Sequence, residues 1–244
     1  VLSENFNLMA ETIENKIKDL EKTNTEKQSF IDNLTHELKT PLTSIIGYAN
    51  LIRTSKYDEK LFFEASNYIY KEGKRMECMA FKLMNLINLN TENINLKSEK
   101  IMDIIGDCKK SLFAKLKDKN IDLIVSGKNY NVNVDKDLIR MLICNLIDNS
   151  IKASNSSSKI YISVLKKENK VVIEVKDNGL GIPKKHLERV TEPFYMVDKS
   201  RSRKDNGAGL GLSLCKRIVD VHNGTLKIES ELNKGTIVKI FLNI

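Results

Sequence analysis

The segment HELKTP at positions 36–41 combines residue types that can carry out nucleophilic chemistry within a long predicted helix. His36 and Thr40 are four positions apart, so a helix places them on one face, with Glu37 on its flank. An imidazole, with an ordinary pKa of about 6.5, is a nucleophile at neutral pH, and a neighbouring carboxylate can take its proton or orient its ring. Pro41 lacks a backbone donor and crowds the helix, which predicts a bend there. The alternative interpretation is that His36 is a solvated residue on a charged helix.

A second group of polar residues lies in an otherwise apolar helix predicted over 138–154. Asn145, Asn149 and Lys152 follow one another at i, i+4 and i+7, so they share a face. Asparagine is a mediocre helix former and is costly to bury without a partner, which indicates that a polar ligand binds there. Carboxamide oxygens suit a hard cation such as Mg²⁺, and a lysine suits a phosphate. The alternative is that both asparagines cap or cross-link neighbouring backbone.

Two glycine-rich segments follow this helix. DNGLGIP at 177–183 comes directly after a predicted strand, so the Asp177 carboxylate and a tight glycine turn lie at a strand end. NGAGLGL at 206–212 opens a predicted helix, where small residues and the helix N-terminus favour close approach of an anion. Neither segment has the spacing of a Walker loop or of a dinucleotide-binding fold. The polar segment 194–206 between them carries four basic residues and predicts a mobile lid over phosphates.

The elements that must position these residues fall into two groups. Apolar residues recur at steps of three and four from Leu2 to Ile52, in a narrow stripe typical of a coiled-coil seam. After a predicted turn at 55–58, a second helical run extends from Leu61 to Ile87. The two helices form an antiparallel hairpin, and two hairpins can close a four-helix bundle as a symmetric dimer.

Past about Thr91 the pattern changes to shorter elements, which places a domain boundary near residue 92. Alternating, β-branched stretches predict strands, and helices lie between them, including one that Asp135 can cap and a short one after Pro183. The predicted strands are 121–125, 159–167, 170–177, 225–231 and 236–244, and the main helices are 101–117, 138–154 and 211–222. Strands with segregated helices predict an α+β layer, with one sheet covered by helices on one face.

Composition narrows the function classes. The 244 residues allow one or two domains, and 41% hydrophobic with 30% charged residues exclude a disordered or fibrous chain. The formal charge of +8 is spread over scattered lysines without a concentrated basic stripe or aromatic interleaving, so nucleic-acid binding is not expected. Four cysteines without CxxC spacing indicate neither a disulfide framework nor a zinc site, and favour a reducing, cytoplasmic compartment. No apolar stretch approaches about 20 residues, and we expect a membrane anchor only in a segment upstream of Val1.

Five of these segments resemble, in order and spacing, the boxes of the catalytic core of a bacterial two-component sensor histidine kinase. HELKTPLTSI is similar to the phospho-acceptor box, NLIDNSIK to the asparagine box, DNGLGIP and GAGLGLSL to the two glycine boxes, and EPFYMVDKSRS to the phenylalanine box. The resemblance implies a dimeric four-helix bundle followed by an α+β two-layer sandwich of the kind shared with type II topoisomerase, chaperone and mismatch-repair ATPases. It implies a signalling helix at 1–29, a dimerisation and phosphotransfer domain at 30–92, and an ATP-binding domain at 93–244.

The resemblance also implies the activity. ATP would phosphorylate His36, with Glu37 as its acid/base helper. The phosphoryl group would then pass to an aspartate of a response regulator. Thr40 would position a water that removes the phosphate from the regulator. The implied partners are a second copy of the chain, through the hairpin, and the cognate regulator. The full-length protein would be anchored in the bacterial inner or cell membrane, with this part in the cytoplasm.

The implied cofactors are ATP and Mg²⁺. Asn149 would hold the metal with help from Asn145, Lys152 and Arg201 would face phosphates, and Asp177 would receive the adenine amino group. The remaining implied nucleotide-binding positions are Gly179, Gly181, Ile182, Gly207, Gly209, Gly211 and Leu212.

Two positions depart from the family pattern, and two other functions stay open. Ala153 stands where an aromatic residue is frequent and Ser150 where alanine is usual, which puts nucleotide affinity in question. One alternative is an ATPase or serine kinase on the same fold, although those relatives have a glutamate where this chain has Asn145. The other is a non-catalytic dimeric ATP-binding scaffold.

Overall fold

The computed structural model describes residues 2–89, 94–198 and 208–243. The chain forms two compact units, Val1–Glu77 and Cys78–Ile244, and the division between them falls inside the second long helix. The domain boundary predicted near residue 92 lies among residues outside the described ranges and stays a prediction.

The first unit is built from two long helices. Helix α1 spans Leu2–Thr54 and continues through Pro41, and helix α2 spans Glu59–Asn88. The predicted turn at 55–58 separates them, as expected. Asp58 begins α2 by accepting a hydrogen bond from the Leu61 amide at 3.0 Å, since aspartate is a favoured N-cap residue.

The two helices pair in antiparallel fashion within this unit. The ring centroids of Tyr48 and Tyr68 are 4.7 Å apart in a stacked pair, and Glu37 pairs with Arg75 at 3.1 Å. The later residue of α1 thus contacts the earlier residue of α2, which is the order expected of antiparallel helices. The hairpin leaves several large apolar side chains exposed: Ile31, Leu42, Ile46, Leu51, Phe63 and Tyr70. A hairpin that exposes this much apolar surface is incomplete as a hydrophobic unit.

The second unit contains a five-stranded mixed sheet. Its strand order is β2-β4-β5-β7-β6, with β2 and β4 parallel and the other neighbours antiparallel. The strands are β2 (Asp122–Gly127), β4 (Lys159–Lys167), β5 (Lys170–Asp177), β6 (Thr225–Glu231) and β7 (Gly235–Asn243). Two further short strands, β1 (Lys97–Lys100) and β3 (Asn131–Val134), form an antiparallel pair that the sequence analysis did not predict.

The helices of this unit are α3 (Ile101–Ser111), α4 (Phe113–Asp118), α5 (Lys136–Ala153) and α6 (Gly211–Val221). The single helix predicted over 101–117 is thus two helices separated at Leu112. Asp135 caps α5 as predicted, because its carboxylate accepts the Asp137 and Leu138 amides at 3.1 Å. The helix predicted after Pro183 is a single 3₁₀ turn at Lys184–His186.

The core lies between one face of the sheet and α3, α5 and α6. Along β4 the inward residues Ile160, Ile162 and Val164 are fully buried, whereas Tyr161 and Leu165 are exposed, which is the alternation expected of a half-buried strand. The predicted α+β layer is therefore confirmed.

His222 fixes the end of α6 relative to the start of α5. Its Nε2 accepts the Asp135 amide at 3.0 Å, so its Nδ1 carries the hydrogen and donates to the Ile218 carbonyl at 2.7 Å. These two helices carry five of the twelve predicted nucleotide-binding residues, and the buried imidazole holds them together.

Candidate active site

The first cluster lies where α5 meets the N-terminus of α6. A Cβ built on Gly211 would lie 3.4 Å from Nδ2 of Asn149 and 3.9 Å from Oδ1 of Asn145, so both carboxamides lie against the first residue of α6. Among the described residues, no side chain caps this N-terminus at Leu210. Unpaired first-turn amides favour an anion, and the adjacent carboxamide oxygens are ligands of the kind that Mg²⁺ accepts. The donor set therefore fits a metal-bound phosphate.

The second cluster surrounds the Asp177 carboxylate, which is 5% exposed. Its Oδ1 accepts the amides of Gly179 and Thr236 at 2.9 and 3.2 Å, and its Oδ2 accepts the Ser150 hydroxyl at 3.0 Å. Burial raises the pKa of Asp177, and these three hydrogen bonds oppose the rise in pKa without cancelling it. The result is a buried acceptor with a fixed direction, suited to an exocyclic amino group.

Backbone approaches hold the loop after Asp177 in place. A Cβ on Gly179 would lie 2.6 Å from the last carbonyl of α5. Gly181 has φ +66°, and its Cβ would lie 2.0 Å from the Glu231 carbonyl, so no other residue fits there. The Ile182 amide donates to the Ser230 hydroxyl at 2.7 Å. The turn is thus held between the end of α5 and the β6–β7 hairpin.

Phe194 begins the predicted lid, whose residues 199–206 lie outside the described residues, and it contacts Gly209 beyond the other end of that segment. The Phe194 amide donates to the Gly209 carbonyl at 3.0 Å, and Gly209 has φ +68° with no room for a Cβ beside Phe194. Leu212 is partly buried against the core. Arg201 and Gly207, two of the predicted nucleotide-binding residues, lie outside the described residues.

Lys152 has a carboxylate as its partner. Its ammonium lies 2.8 Å from Oδ2 of Asp148, and Lys115 lies 2.5 Å from the other oxygen. Burial alone would raise the pKa of Asp148, but Lys152 and Lys115 outweigh it and hold that pKa below its usual range. The predicted contact of Lys152 with phosphate stays a prediction.

The third cluster lies on the first unit, around His36. His36 is exposed and Glu37 is buried, so the two neighbours point to different environments. The Thr40 hydroxyl donates to the His36 carbonyl at 3.3 Å, as expected of residues one turn apart. An exposed imidazole can receive a group from a substrate held elsewhere.

Glu37 is held by a residue that the sequence analysis missed. Its Oε2 accepts Nη2 of Arg75 at 3.1 Å, with both residues about 5% exposed, and Nη1 of Arg75 lies 3.4 Å from Glu72. Nε of Arg75 is buried and has no hydrogen-bond partner among the residues that the structure describes. The i, i+3 spacing of Glu72 and Arg75 could be found in the sequence, but their link to α1 could not.

Three further supports were also missed. Ser150 and Thr236 hold Asp177, and Asp148 pairs with Lys152. The i, i+4 spacing of Asp148 and Lys152 was a usable signal, and Ser150 had been noted only as a departure from a pattern. Thr236 follows no sequence signal, because it reaches Asp177 through strand pairing.

Comparison with known families accounts for both units. Residues 134–244 match the family described as histidine kinase-, DNA gyrase B- and HSP90-like ATPase, and residues 26–80 match the His Kinase A (phospho-acceptor) domain. The signal transduction histidine-protein kinase ArlS of Staphylococcus aureus, in strains USA300 and COL, is 32% identical over 242 residues, which is 97% of this chain and 53% of the relative. The chain belongs to the sensor histidine kinases. It spans about half the length of the curated relatives that it matches.

Solved structures agree on the fold. The histidine kinase AdeS of Acinetobacter baumannii is 22% identical, with a TM-score of 0.67 over 85% of this chain and 97% of that one. The histidine kinase ThkA, solved with the response regulator protein TrrA, is 22% identical, with a TM-score of 0.73 over 88% of this chain and 61% of that one. The catalytic domain of ThkA is 26% identical, with a TM-score of 0.54 over 61% of this chain and 95% of that one.

These matches confirm the predicted helical hairpin followed by an ATP-binding domain of the histidine kinase type. None of the described helices combines the length and the apolar character that a membrane span requires.

Proposed function

We propose that this chain transfers the γ-phosphoryl group of ATP to His36 and then passes it to an aspartate of a response regulator. The observation that carries the proposal is the placement of two carboxamides of α5 against the N-terminus of α6, while α5 also supplies the Ser150 hydroxyl to the buried Asp177 carboxylate. The carboxamides of Asn145 and Asn149 are suited to phosphates and a metal, and Ser150, the next residue on α5, supports a carboxylate that is suited to a base. A nucleoside triphosphate needs both.

In this proposal the nucleotide is oriented by two fixed points. Asp177 accepts the adenine amino group, and its three hydrogen bonds hold it in place so that little reorganisation is needed on binding. The phosphates lie at the N-terminus of α6, where Gly211 has no side chain that would come between the helix backbone and Asn149. Asn149, with Asn145 beside it, would hold Mg²⁺, which supplies charge neutralisation on the phosphates.

His36 is the proposed acceptor because it is an exposed imidazole in a domain of the phospho-acceptor family. Phosphoryl transfer needs little covalent assistance, so positioning and charge supply most of the catalysis. Glu37 is the proposed acid/base helper, and its ion pair with Arg75 fixes where its carboxylate lies. Thr40, one turn along, is proposed to position a water for dephosphorylation of the regulator.

A homodimer through the hairpin is part of the proposal. The exposed apolar side chains of α1 and α2, such as Ile46 (60% exposed) and Phe63 (68% exposed), need a cover, and a second hairpin completes a four-helix bundle. The response regulator is proposed from the family and from ThkA, whose structure contains one.

We also propose the domain limits 1–29, 30–92 and 93–244, and a cytoplasmic location for this part of the protein, where ATP is available. Membrane anchoring of the whole protein is proposed by analogy with the family and is tested by fractionation of the full-length product.

The direct test is incubation with γ-labelled MgATP, with His36→Gln alongside. We expect protein-bound label that survives base and is lost in acid, and no label on the variant, whose ATP binding is unchanged. Label that persists on His36→Gln would exclude His36 as the acceptor. ATP binding without label on either chain favours the scaffold, and phosphate release without label favours the ATPase.

A further inference from the structure

A carboxylate beside the nucleotide cluster is shared by two lysines. Oδ1 of Asp148 lies 2.5 Å from the ammonium of Lys115, and Oδ2 lies 2.8 Å from the ammonium of Lys152. The Asp148 side chain is 15% exposed, whereas that of Lys115 is 58% exposed and that of Lys152 is 30% exposed. The three side chains together carry an excess positive charge, and Lys115 is their most exposed member.

The three side chains come from two helices. Asp148 and Lys152 are one turn apart on α5, whereas Lys115 is on α4. Helix α4 is anchored to the core by Leu116, the residue after Lys115, which is buried in the same apolar cluster as α5. Lys115 therefore approaches Asp148 from a fixed neighbouring helix. Because it contacts a different carboxylate oxygen from Lys152, its ion pair can persist when Lys152 moves.

Lys152 lies between Asp148 and the two asparagines around α5. At about 100° of rotation per residue, Lys152 is about 40° from Asp148 and about 20° from Asn145. Asn145 and Asn149 lie against the first residue of α6, which is the proposed position of the phosphates. A phosphate bound there would compete with Asp148 for the Lys152 ammonium. If no other cation were in place, the departure of Lys152 would leave a partly buried carboxylate unpaired beside an anion, which costs free energy.

We propose that Lys115 is a positioning residue for nucleotide binding, which stays paired with Asp148 while Lys152 exchanges that carboxylate for a phosphate of the nucleotide. Lys115 does not contact the nucleotide in this arrangement and acts through the charge of Asp148. The proposal rests on the proposed function, because it needs an ATP phosphate at the N-terminus of α6. Without Lys115, Asp148 would hold Lys152 more strongly and would repel the phosphates, so ATP affinity should fall.

The first test measures the ATP affinity of the full chain by calorimetry in Mg²⁺. Lys115→Gln should lower the affinity about threefold, which is the size of effect expected when a partly exposed ion pair is lost. Lys115→Arg keeps the positive charge and should bind ATP as the parent chain does. The matched control is Lys117→Gln, which removes an exposed lysine from the same helix and should leave ATP affinity unchanged. An affinity in Lys115→Gln equal to that of the control would overturn the proposal.

A double-mutant cycle with Asp148 separates the exchange of partners from a general effect of charge. Asp148→Asn should raise ATP affinity about threefold, because Lys152 then has no competing carboxylate. Lys115→Gln added to Asp148→Asn should cause no further change in affinity. An equal fall in both backgrounds would mean that Lys115 attracts the anion directly. A lower affinity in Asp148→Asn would mean that Asp148 holds Lys152 in its binding position, and either result would overturn the proposal.

Adenosine, which has the base but no phosphate, tests whether a variant distorts the site. In competition against ATP, Lys115→Gln should bind adenosine as tightly as the parent chain does, and a loss as large as that for ATP would indicate a structural effect and overturn the proposal. A parent chain that binds no ATP would contradict the proposed function and, with it, the role of Lys115. Normal ATP binding in the parent chain with no change in Lys115→Gln would refute the role of Lys115 alone.

Discussion

The buried ion pair between Glu37 and Arg75 gives the sharpest energetic prediction. At 3.1 Å and an effective dielectric constant of about 20, the direct attraction is about 5 kcal/mol before desolvation is subtracted. Removing one partner of such a pair leaves a buried charge and costs about 3–5 kcal/mol, whereas replacing both by apolar residues of similar volume is often neutral. We therefore expect Arg75→Met to destabilise the hairpin by about 3–5 kcal/mol.

The two single variants should differ. Glu37→Met leaves Arg75 with Glu72 as a second partner at 3.4 Å, so its cost should be smaller, about 2 kcal/mol. The double variant also removes the unpaired Nε of Arg75 and should be close to the parent chain in stability. The double-mutant cycle should thus show strong coupling.

Native-state hydrogen exchange of the α1 and α2 amides measures the stability of the hairpin by itself, because a chain of two units need not unfold in a single step. The reasoning would be refuted if the loss of stability in the double variant equalled the sum of the losses in the two single variants. The double variant also separates stability from chemistry, because it should remain folded and yet lose autophosphorylation if Glu37 is the acid/base helper.

Three further predictions concern the site residues. Asp177→Asn should abolish ATP binding, measured by calorimetry, without lowering stability. The raised pKa of Asp177 means that the protonated carboxyl favours the folded state, and this contribution to stability is lost as pH rises from about 4 through the folded pKa. At neutral pH the Asn variant should therefore be more stable than the parent chain. On acidification the difference should disappear. Asn149→Ala should weaken ATP binding about tenfold or more in Mg²⁺ and little in EDTA; equal losses in both would contradict metal binding. Thr40→Ala should retain autophosphorylation and lose regulator dephosphorylation, and a normal rate of dephosphorylation would exclude the proposed role.

Regular elements with strong patterning were predicted closely. Strands β4, β5 and β6 have the predicted bounds, because alternation of buried and exposed residues is a local property. The capping of α5 by Asp135 was likewise predicted. Strand β1, with the sequence KSEK, has no apolar residue and exists only because it pairs with β3, which lies more than 30 residues further along. Pairing of that kind has no local signal.

Ser150, which departs from the family pattern, supports the proposed nucleotide site, although the sequence indicated that it could weaken nucleotide binding. The resemblance presented it as a loss, because alanine is usual at that position. In the structure its hydroxyl donates to Asp177, so it supports the carboxylate that is proposed to recognise adenine. Family patterns identify the position, but only the distance between α5 and the end of β5 identifies the bond.

The site residues on α1 show why adjacency in sequence is a weak guide to chemistry. Neighbours on a helix point about 100° apart, so an exposed His36 and a buried Glu37 are what one amphipathic helix produces. The carboxylate is then oriented by Arg75, 38 residues away, and not by the imidazole beside it. A base that is already held in an ion pair is fixed in place, and it must exchange that partner, or share it, when it takes a proton from His36. Arg75 is therefore expected to act on the rate through Glu37, and its removal should lower autophosphorylation even where the hairpin remains folded.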